Sequence, residues 1–235
     1  MTLKKALLLA RMDPPEKNEA EWNKWYTGVH VANREHLPGW LTARRFKKIE
    51  GLPAAYHTPG QAEYLALYDV SSIRALTGAP YNRVREKEFA TPSDSNENQI
   101  FKLPKFARLV YQQIYPENDE YKEPGTKYVF LVGHDVPNNK HKEFNAWYNT
   151  EHIPDLMSVP GFKAFRRFIL NTRQVPPITD RGGTSSQYLT IWDLESEEAL
   201  TCDEFVNKSA SPWTRWVRSW YTRKVCTLYK QIYPE

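Results

Sequence analysis

The hydrophobic pattern of the C-terminal half resolves into six elements. Residues 128–134 (YVFLVGH) are an unbroken apolar, β-rich run and predict a strand. In 142–158 (KEFNAWYNTEHIPDLMS), Phe144, Trp147, Tyr148 and Ile153 recur at helical spacing. Pro160-Gly161 stops that helix, and 162–170 (FKAFRRFIL) alternates as a strand. A third strand is predicted over 186–194 (SQYLTIWDL). Residues 196–210 (SEEALTCDEFVNKSA) predict a helix with Ser196 as N-cap. Ser211-Pro212 restarts it as PWTRWVRSW, with proline at the first helical position. The run 224–233 (KVCTLYKQIY) closes the half as a strand, so the order is β-α-β-β-α-β.

The N-terminal half carries the same pattern. Residues 21–46 align without a gap on 143–168, and ten of 26 positions are identical. Ordinary residue frequencies would give roughly one or two. The match extends outward: KALLLARMDPP (5–15) falls on KYVFLVGHDVP (127–137), EYLALYDVSS on QYLTIWDLES, and APYNRVR resembles SPWTRWVR. YQQIYPE (111–117) matches YKQIYPE (229–235). The chain therefore reads as a tandem duplication, with a first repeat over 1–118, a polar Pro-Gly linker over 119–126 and a second repeat over 127–235.

Each β-α-β-β-α-β unit is ferredoxin-like, with helices on one face of a four-stranded antiparallel sheet. The bare face must be covered or it exposes apolar surface. The expected fold class is thus α+β, with two ferredoxin-like units packed sheet to sheet, closing or nearly closing an eight-stranded barrel.

Composition narrows the partners. The 32 basic and 28 acidic residues give a net charge of +4 with no block of one sign, which demands neither nucleic acid nor an anionic membrane. Aromatic residues make up 14% and include eight tryptophans, enough for a thick core or an aromatic pocket. No run reaches the roughly 18 apolar residues of a membrane-spanning helix. The early run ALLLA is too short for a leader and reads as strand. Cys202 and Cys226 lack metal spacing and read as reduced core residues of a cytoplasmic protein. His134, His141, His152 and Glu143 match no ligand motif, so no metal is expected. RGGTSS (181–186) precedes a strand and does not read as a dinucleotide loop. In 213–224, helical spacing puts Trp213, Trp216, Val217 and Trp220 on one face, which favours amphipathic packing over RNA binding.

The order of elements, the signature WYNTEHIP (147–154), the following VPGF (159–162) and the RRF strand (166–168) resemble the dimeric α/β-barrel superfamily, and within it the EthD-like proteins. The resemblance covers both halves. Most members are single units that dimerise through their sheets. Here it implies one chain supplying both units as an intrachain pseudo-dimer, with further homodimerisation left open. The superfamily holds polyketide cyclases, decarboxylases, dehydratases, quinone-forming monooxygenases and muconolactone-type isomerases, which often need no metal or organic cofactor. It also holds heme-binding branches, which a Soret band would reveal. The resemblance implies no cofactor here and a small aromatic molecule as partner.

The two copies serve as internal controls. Trp25 and Trp147, Tyr26 and Tyr148, and both Pro-Gly pairs recur, as fold residues would. Arg44-Arg45 and Arg166-Arg167 recur in a strand, so one of each pair should face inward, where it needs a carboxylate or an anionic ligand. His30 and His152 also recur, but TEHIPD (150–155) stands where the first half has GVHVAN. Only the second half keeps Glu151 and Asp155 beside its histidine, and Pro154 should bend or end the helix there. His152 is therefore the candidate general base or acid, tuned by Glu151 or Asp155. Trp147, Tyr148, Arg166 and Arg167 are the candidate substrate contacts, with Tyr26 and His30 completing the pocket. An ordinary exposed helix end would show the same residues. The expected function is cofactor-independent acid/base chemistry on an aromatic or polyketide-like molecule, by elimination, decarboxylation, cyclisation or isomerisation. Monooxygenation of a phenol, and ligand binding without catalysis, are the alternatives.

Overall fold

A computed structural model describes residues 4–117, 122, 125–172, 179–183 and 185–234. The linker expected over 119–126 falls mostly outside them. The alternating runs form β1 (Ala6–Met12), β2 (Arg44–Lys48), β3 (Tyr64–Val70) and β4 (Ala107–Tyr115) in the first half. The second half supplies β5 (Tyr128–Asp135), β6 (Phe162–Leu170), β8 (Tyr188–Leu194) and β9 (Arg223–Tyr233). A two-residue strand, β7 (Thr179–Asp180), pairs with the start of β4.

These strands do not make two sheets. Within the first half the order is β4-β1-β3-β2, and within the second it is β9-β5-β8-β6. Strand β2 then pairs with β9, and β4 with β6, all antiparallel. The result is one closed eight-stranded antiparallel barrel with short helices outside it, among them α3 (Ala79–Phe89), of 11 residues, and α4 (Asn96–Gln99). The expectation of two ferredoxin-like units packed sheet to sheet is overturned by this closure. The physical reason lies in the edges. Two stacked sheets would leave β2, β4, β6 and β9 with unpaired backbone groups, whereas joining them edge to edge satisfies all four.

Strand alternation then sorts side chains into two layers. Leu7, Leu9, Leu65, Leu67, Leu131 and Ile191 fill the barrel interior. Leu8 and Ala10, and Phe130 and Val132 in the other half, point outward under the helices. The arginine pairs split in the same way. Arg44 and Arg166 point inward, where Arg44 pairs with Asp193 at 3.1 Å and Arg166 with Asp69. Each arginine thus meets a carboxylate from the opposite half, deep in the interior. Arg45 and Arg167 lie outside, under the helices, over the rings of Tyr26 and Tyr148 at 4.3 and 4.1 Å.

The helices that carry the recurring histidines are interrupted. In the first half α1 (Glu19–Trp25) runs through a π-turn, Tyr26–Val31, into α2 (Ala32–Glu35). In the second, α5 (His141–Trp147) runs through Tyr148–His152 into α6 (Ile153–Met157). Pro154 was expected to bend or end this helix, but the chain stays helical to Met157. It sits in the first turn of α6, just after the π-turn, where a proline without an N–H is tolerated. Both helices stop at the Pro-Gly pairs. Gly39 and Gly161 have φ of 83° and 91°, and a Cβ on Gly161 would lie 2.8 Å from the Ala199 side chain.

The expected helix over 196–210 is a 3-10 turn, Glu197–Leu200, followed by α7 (Asp203–Lys208). Helix α8 (Pro212–Arg218) begins as expected at Ser211, whose hydroxyl caps the Thr214 N–H at 2.9 Å. Val217 is buried in it, but Trp216 is exposed and donates to Glu143 rather than joining the apolar face. Among the described residues no helix is long and apolar enough to cross a membrane.

Candidate functional site

Each half has a cleft between the outer face of its strands and its helices, and the two clefts differ in size. In the first half a cavity of about 300 Å³ opens, at the lower end of the range for small-molecule sites. Leu8, Ala10 and Tyr68 form its floor, and Tyr26, His30 and Arg34 come from the interrupted helix. Helix α3 adds Tyr81, Arg85, Glu88 and Phe89, and Arg108 comes from β4. Thr179 and Arg181, from the second half, close one side.

The polar groups of this cavity form a chain. Arg34 grips the Glu88 carboxylate in bidentate fashion, at 2.7 and 2.6 Å, and also donates to the His30 carbonyl at 2.7 Å. The second face of Glu88 meets His30, whose Nδ1 is 3.4 Å from Oε1, wider than a good hydrogen bond. Burial, and then the charge of Arg34, push the His30 imidazole down to about 4 against the pull of Glu88. Burial alone would raise the Glu88 carboxyl, but its contacts with His30 and Arg34 hold it at about 2. At neutral pH the site therefore holds an ionised Glu88 and a neutral His30.

Other groups in the cavity lack partners. The Tyr26 and Tyr68 hydroxyls are buried and near one another, yet neither makes a hydrogen bond of good geometry among the described residues. Burial raises both phenols, that of Tyr68 well above its usual range. Arg108 donates one Nη to the Tyr81 hydroxyl at 3.0 Å and leaves its other Nη buried without an acceptor among the described residues. Unmade hydrogen bonds of this kind are costly unless a ligand completes them. An aromatic molecule bearing negative charge would do so.

The second-half cleft is nearly filled, with about 30 Å³ left. Phe130 stands where the first half has Leu8, Val132 where it has Ala10, and Trp192 where it has Tyr68. Tyr56, from a loop of the first half, enters this space and packs on Phe205 at 5.0 Å. His152 stacks on Trp147 at 4.5 Å, and its Nδ1 has no partner among the described residues. Burial, followed by the charges of Arg218, Lys224 and Arg167, pushes it down to about 3.

Neither expected carboxylate reaches His152. Glu151 accepts from the Ser211 hydroxyl at 2.5 Å, and Asp155 pairs with Lys208 at 3.3 Å, so both tie α6 and its π-turn to neighbouring helix ends. Trp147 is buried and donates to Thr214 at 3.3 Å, and Tyr148 is buried over Arg167. Arg167 itself is held by Asn145 and Asn149. Arg166 lies in the barrel interior and faces neither cleft. Of the nine residues singled out from the sequence, the large cavity brings together only Tyr26 and His30. Glu88 and Arg34 were missed. The usable signal was the alignment of the halves: with its one-residue gap, Glu88 falls on Tyr221, so only the first half has an acid there. Among the described residues no group of three or more His, Cys, Asp or Glu could hold a metal ion.

A family model described as a domain of unknown function (DUF4286) matches residues 127–233. No curated protein matches the chain. Among solved structures, an anthrone oxidase-like protein superposes with a TM-score of 0.60 at 13% identity, covering 98% of this chain and 92% of its own. A presumed monooxygenase from Fusobacterium nucleatum gives 0.56 at 10%, covering 99% and 94%. Chlorite dismutase from Candidatus Nitrospira defluvii gives 0.53 at 10%, covering 96% and 91%. At such identities the likeness speaks for fold alone: the chain shares its overall barrel fold with these proteins.

Proposed function

We propose that the protein is a small-molecule enzyme whose working site is the first-half cavity, and that it oxidises an acidic aromatic substrate with dioxygen. The observation that carries this reading is the neutral His30, backed by Glu88 and Arg34, on the wall of an aromatic cavity that also holds an unpaired guanidinium N–H of Arg108. The π-turn supports it too, since such turns concentrate at functional sites. The likeness to an anthrone oxidase-like protein and a presumed monooxygenase favours oxidation over elimination or isomerisation.

The substrate is a polycyclic phenol or ketone with an acidic CH₂. His30 takes one proton from that carbon, and Glu88 offsets the imidazolium charge. Arg108, with Tyr26 and Tyr68 as further donors, holds the oxygen on which the enolate or phenolate charge develops. The carbanion bonds to dioxygen and is reprotonated to a hydroperoxide. Loss of the second C–H proton and cleavage of the O–O bond give a carbonyl and one water, so R₂CH₂ + O₂ becomes R₂CO + H₂O. On this reading the chain is an EthD-like duplication with units over 1–118 and 127–235. The family match confined to 127–233 supports the second boundary.

The test is oxygen uptake with a panel of tricyclic ketones and phenols. One dioxygen should be consumed per substrate. His30→Ala should lower kcat/KM at least about a hundredfold, in the range of general-base catalysis. His152→Ala should stay within about threefold of wild type. Turnover unaffected by His30→Ala would sink the proposal.

A further inference from the structure

The two ends of the barrel interior treat their arginines differently. At one end Arg44 and Arg166 each meet an aspartate. At the other end Arg11 is 6% exposed and makes one side-chain hydrogen bond, to Gln61 Oε1 at 3.1 Å. It forms no ion pair among the described residues, and its Nε has no acceptor. The carboxylates near this rim are engaged elsewhere. Asp13 pairs with Lys105 at 2.8 Å, Asp135 accepts from the Gln187 N–H, and Asp180 accepts from the Ser185 N–H. A buried, permanently charged guanidinium with a neutral amide as its only partner is a costly arrangement.

Beside Arg11 is a small cavity of about 10 Å³, room for about one water-sized sphere. Two hydroxyls line it, Ser186 Oγ and Thr227 Oγ1, both on residues more than nine-tenths buried and both without a hydrogen-bond partner among the described residues. The space exists because Gly133 holds the position that corresponds to Arg11 in the second half. A Cβ there would lie 2.5 Å from Ser186 Oγ. Three residues with unused donors therefore line a one-atom space, and one carries a full positive charge. We infer that this cavity is a binding site for a monoatomic halide anion, chloride under ordinary conditions, which serves as the counter-ion of Arg11. Water would satisfy the hydroxyls but would leave the charge uncompensated. The site lies inside the barrel, apart from the oxidation site, and does not depend on that reading.

The experiment is thermal unfolding of the whole protein at constant ionic strength, with chloride replaced stepwise by gluconate. A ligand at about a hundred times its dissociation constant raises the Tm of a chain this size by roughly 5–10 °C, and chloride should do so here. Thr227→Val keeps the volume, removes one donor and should move the chloride midpoint about tenfold higher. Arg11→Met should abolish the chloride dependence. Crystals soaked in bromide should show an anomalous peak between Arg11 Nε and Thr227 Oγ1, a readout that survives even if Arg11→Met fails to fold. A wild-type Tm indifferent to chloride, or a dependence unchanged in Thr227→Val, would overturn the inference. So would a cavity holding only non-anomalous density in bromide.

Discussion

The clefts of the two halves share a histidine in a π-turn, an outward arginine under that turn and a tyrosine stacked on the arginine. They differ in what surrounds the histidine. The first offers about 300 Å³, a buried carboxylate and a free guanidinium N–H. The second offers about 30 Å³ and positively charged neighbours only, with Phe130, Val132, Trp192 and Tyr56 in the space. Shared residues thus set the frame. Side-chain volume on the strand floor, together with one acid on a packing helix, decides which cleft can take a ligand.

Filling the open cleft should have the largest effect. Leu8→Phe with Ala10→Val copies the second-half floor into the first and should weaken binding of an aromatic ligand at least about a hundredfold, since the pocket walls supply most of its contacts. Thermal unfolding of the same variant should show a folded protein, because the second half already packs these residues.

Arg108→Met comes next. It removes the charged donor at the oxygen where charge develops while keeping most of the side chain's apolar bulk, and kcat should fall at least about tenfold with KM changed less. An unchanged kcat would remove Arg108 from that role.

The histidines also give a pH signature. Folding lowers His30 from its ordinary 6.5 to about 4 and His152 to about 3, so between those values and 6.5 the unfolded chain binds more protons. Stability should therefore be full above pH 6.5 and fall as pH drops toward 4 and then 3. Each group contributes at most on the order of 3–5 kcal/mol. Chemical denaturation at pH 7 and pH 4.5 measures the loss, and His152→Gln should reduce it. A stability that rises on acidification would contradict the burial of neutral imidazoles.

The smallest effect is expected where the sequence placed the most weight. Glu151→Gln and Asp155→Asn each disturb a helix-end contact and should cost less than about 1 kcal/mol, leaving the His152 titration where it is. A shift of that titration in either variant would restore the carboxylates to the histidine.

What the sequence made legible follows from period and spacing. Strand alternation showed that one arginine of each pair faces inward, though not which one, and the Pro-Gly pairs marked both helix ends. An eight-stranded barrel was expected, but from sheets packed face to face; the edge pairing through β2–β9 and β4–β6 was not legible, because it leaves no local signature in those strands. Glu88 reaches His30 from a separate helix, and Arg181 reaches the cavity from the other half, contacts that no spacing announces. The carboxylates adjacent in sequence to His152 were misleading for a related reason. Adjacent residues of a helix do not face each other, so Glu151 reaches Ser211 and Asp155 reaches Lys208 while neither meets His152. The volume difference was readable all along, in Leu8 against Phe130 and Ala10 against Val132.

The most direct test of the central claim is where an anionic aromatic molecule binds. NMR of the histidine ring protons during titration with a planar polycyclic carboxylate reports both clefts in one experiment. His30 should shift in a saturable way and His152 should stay in place. A saturable shift of His152 with His30 unmoved would put the working site in the second half and contradict that claim.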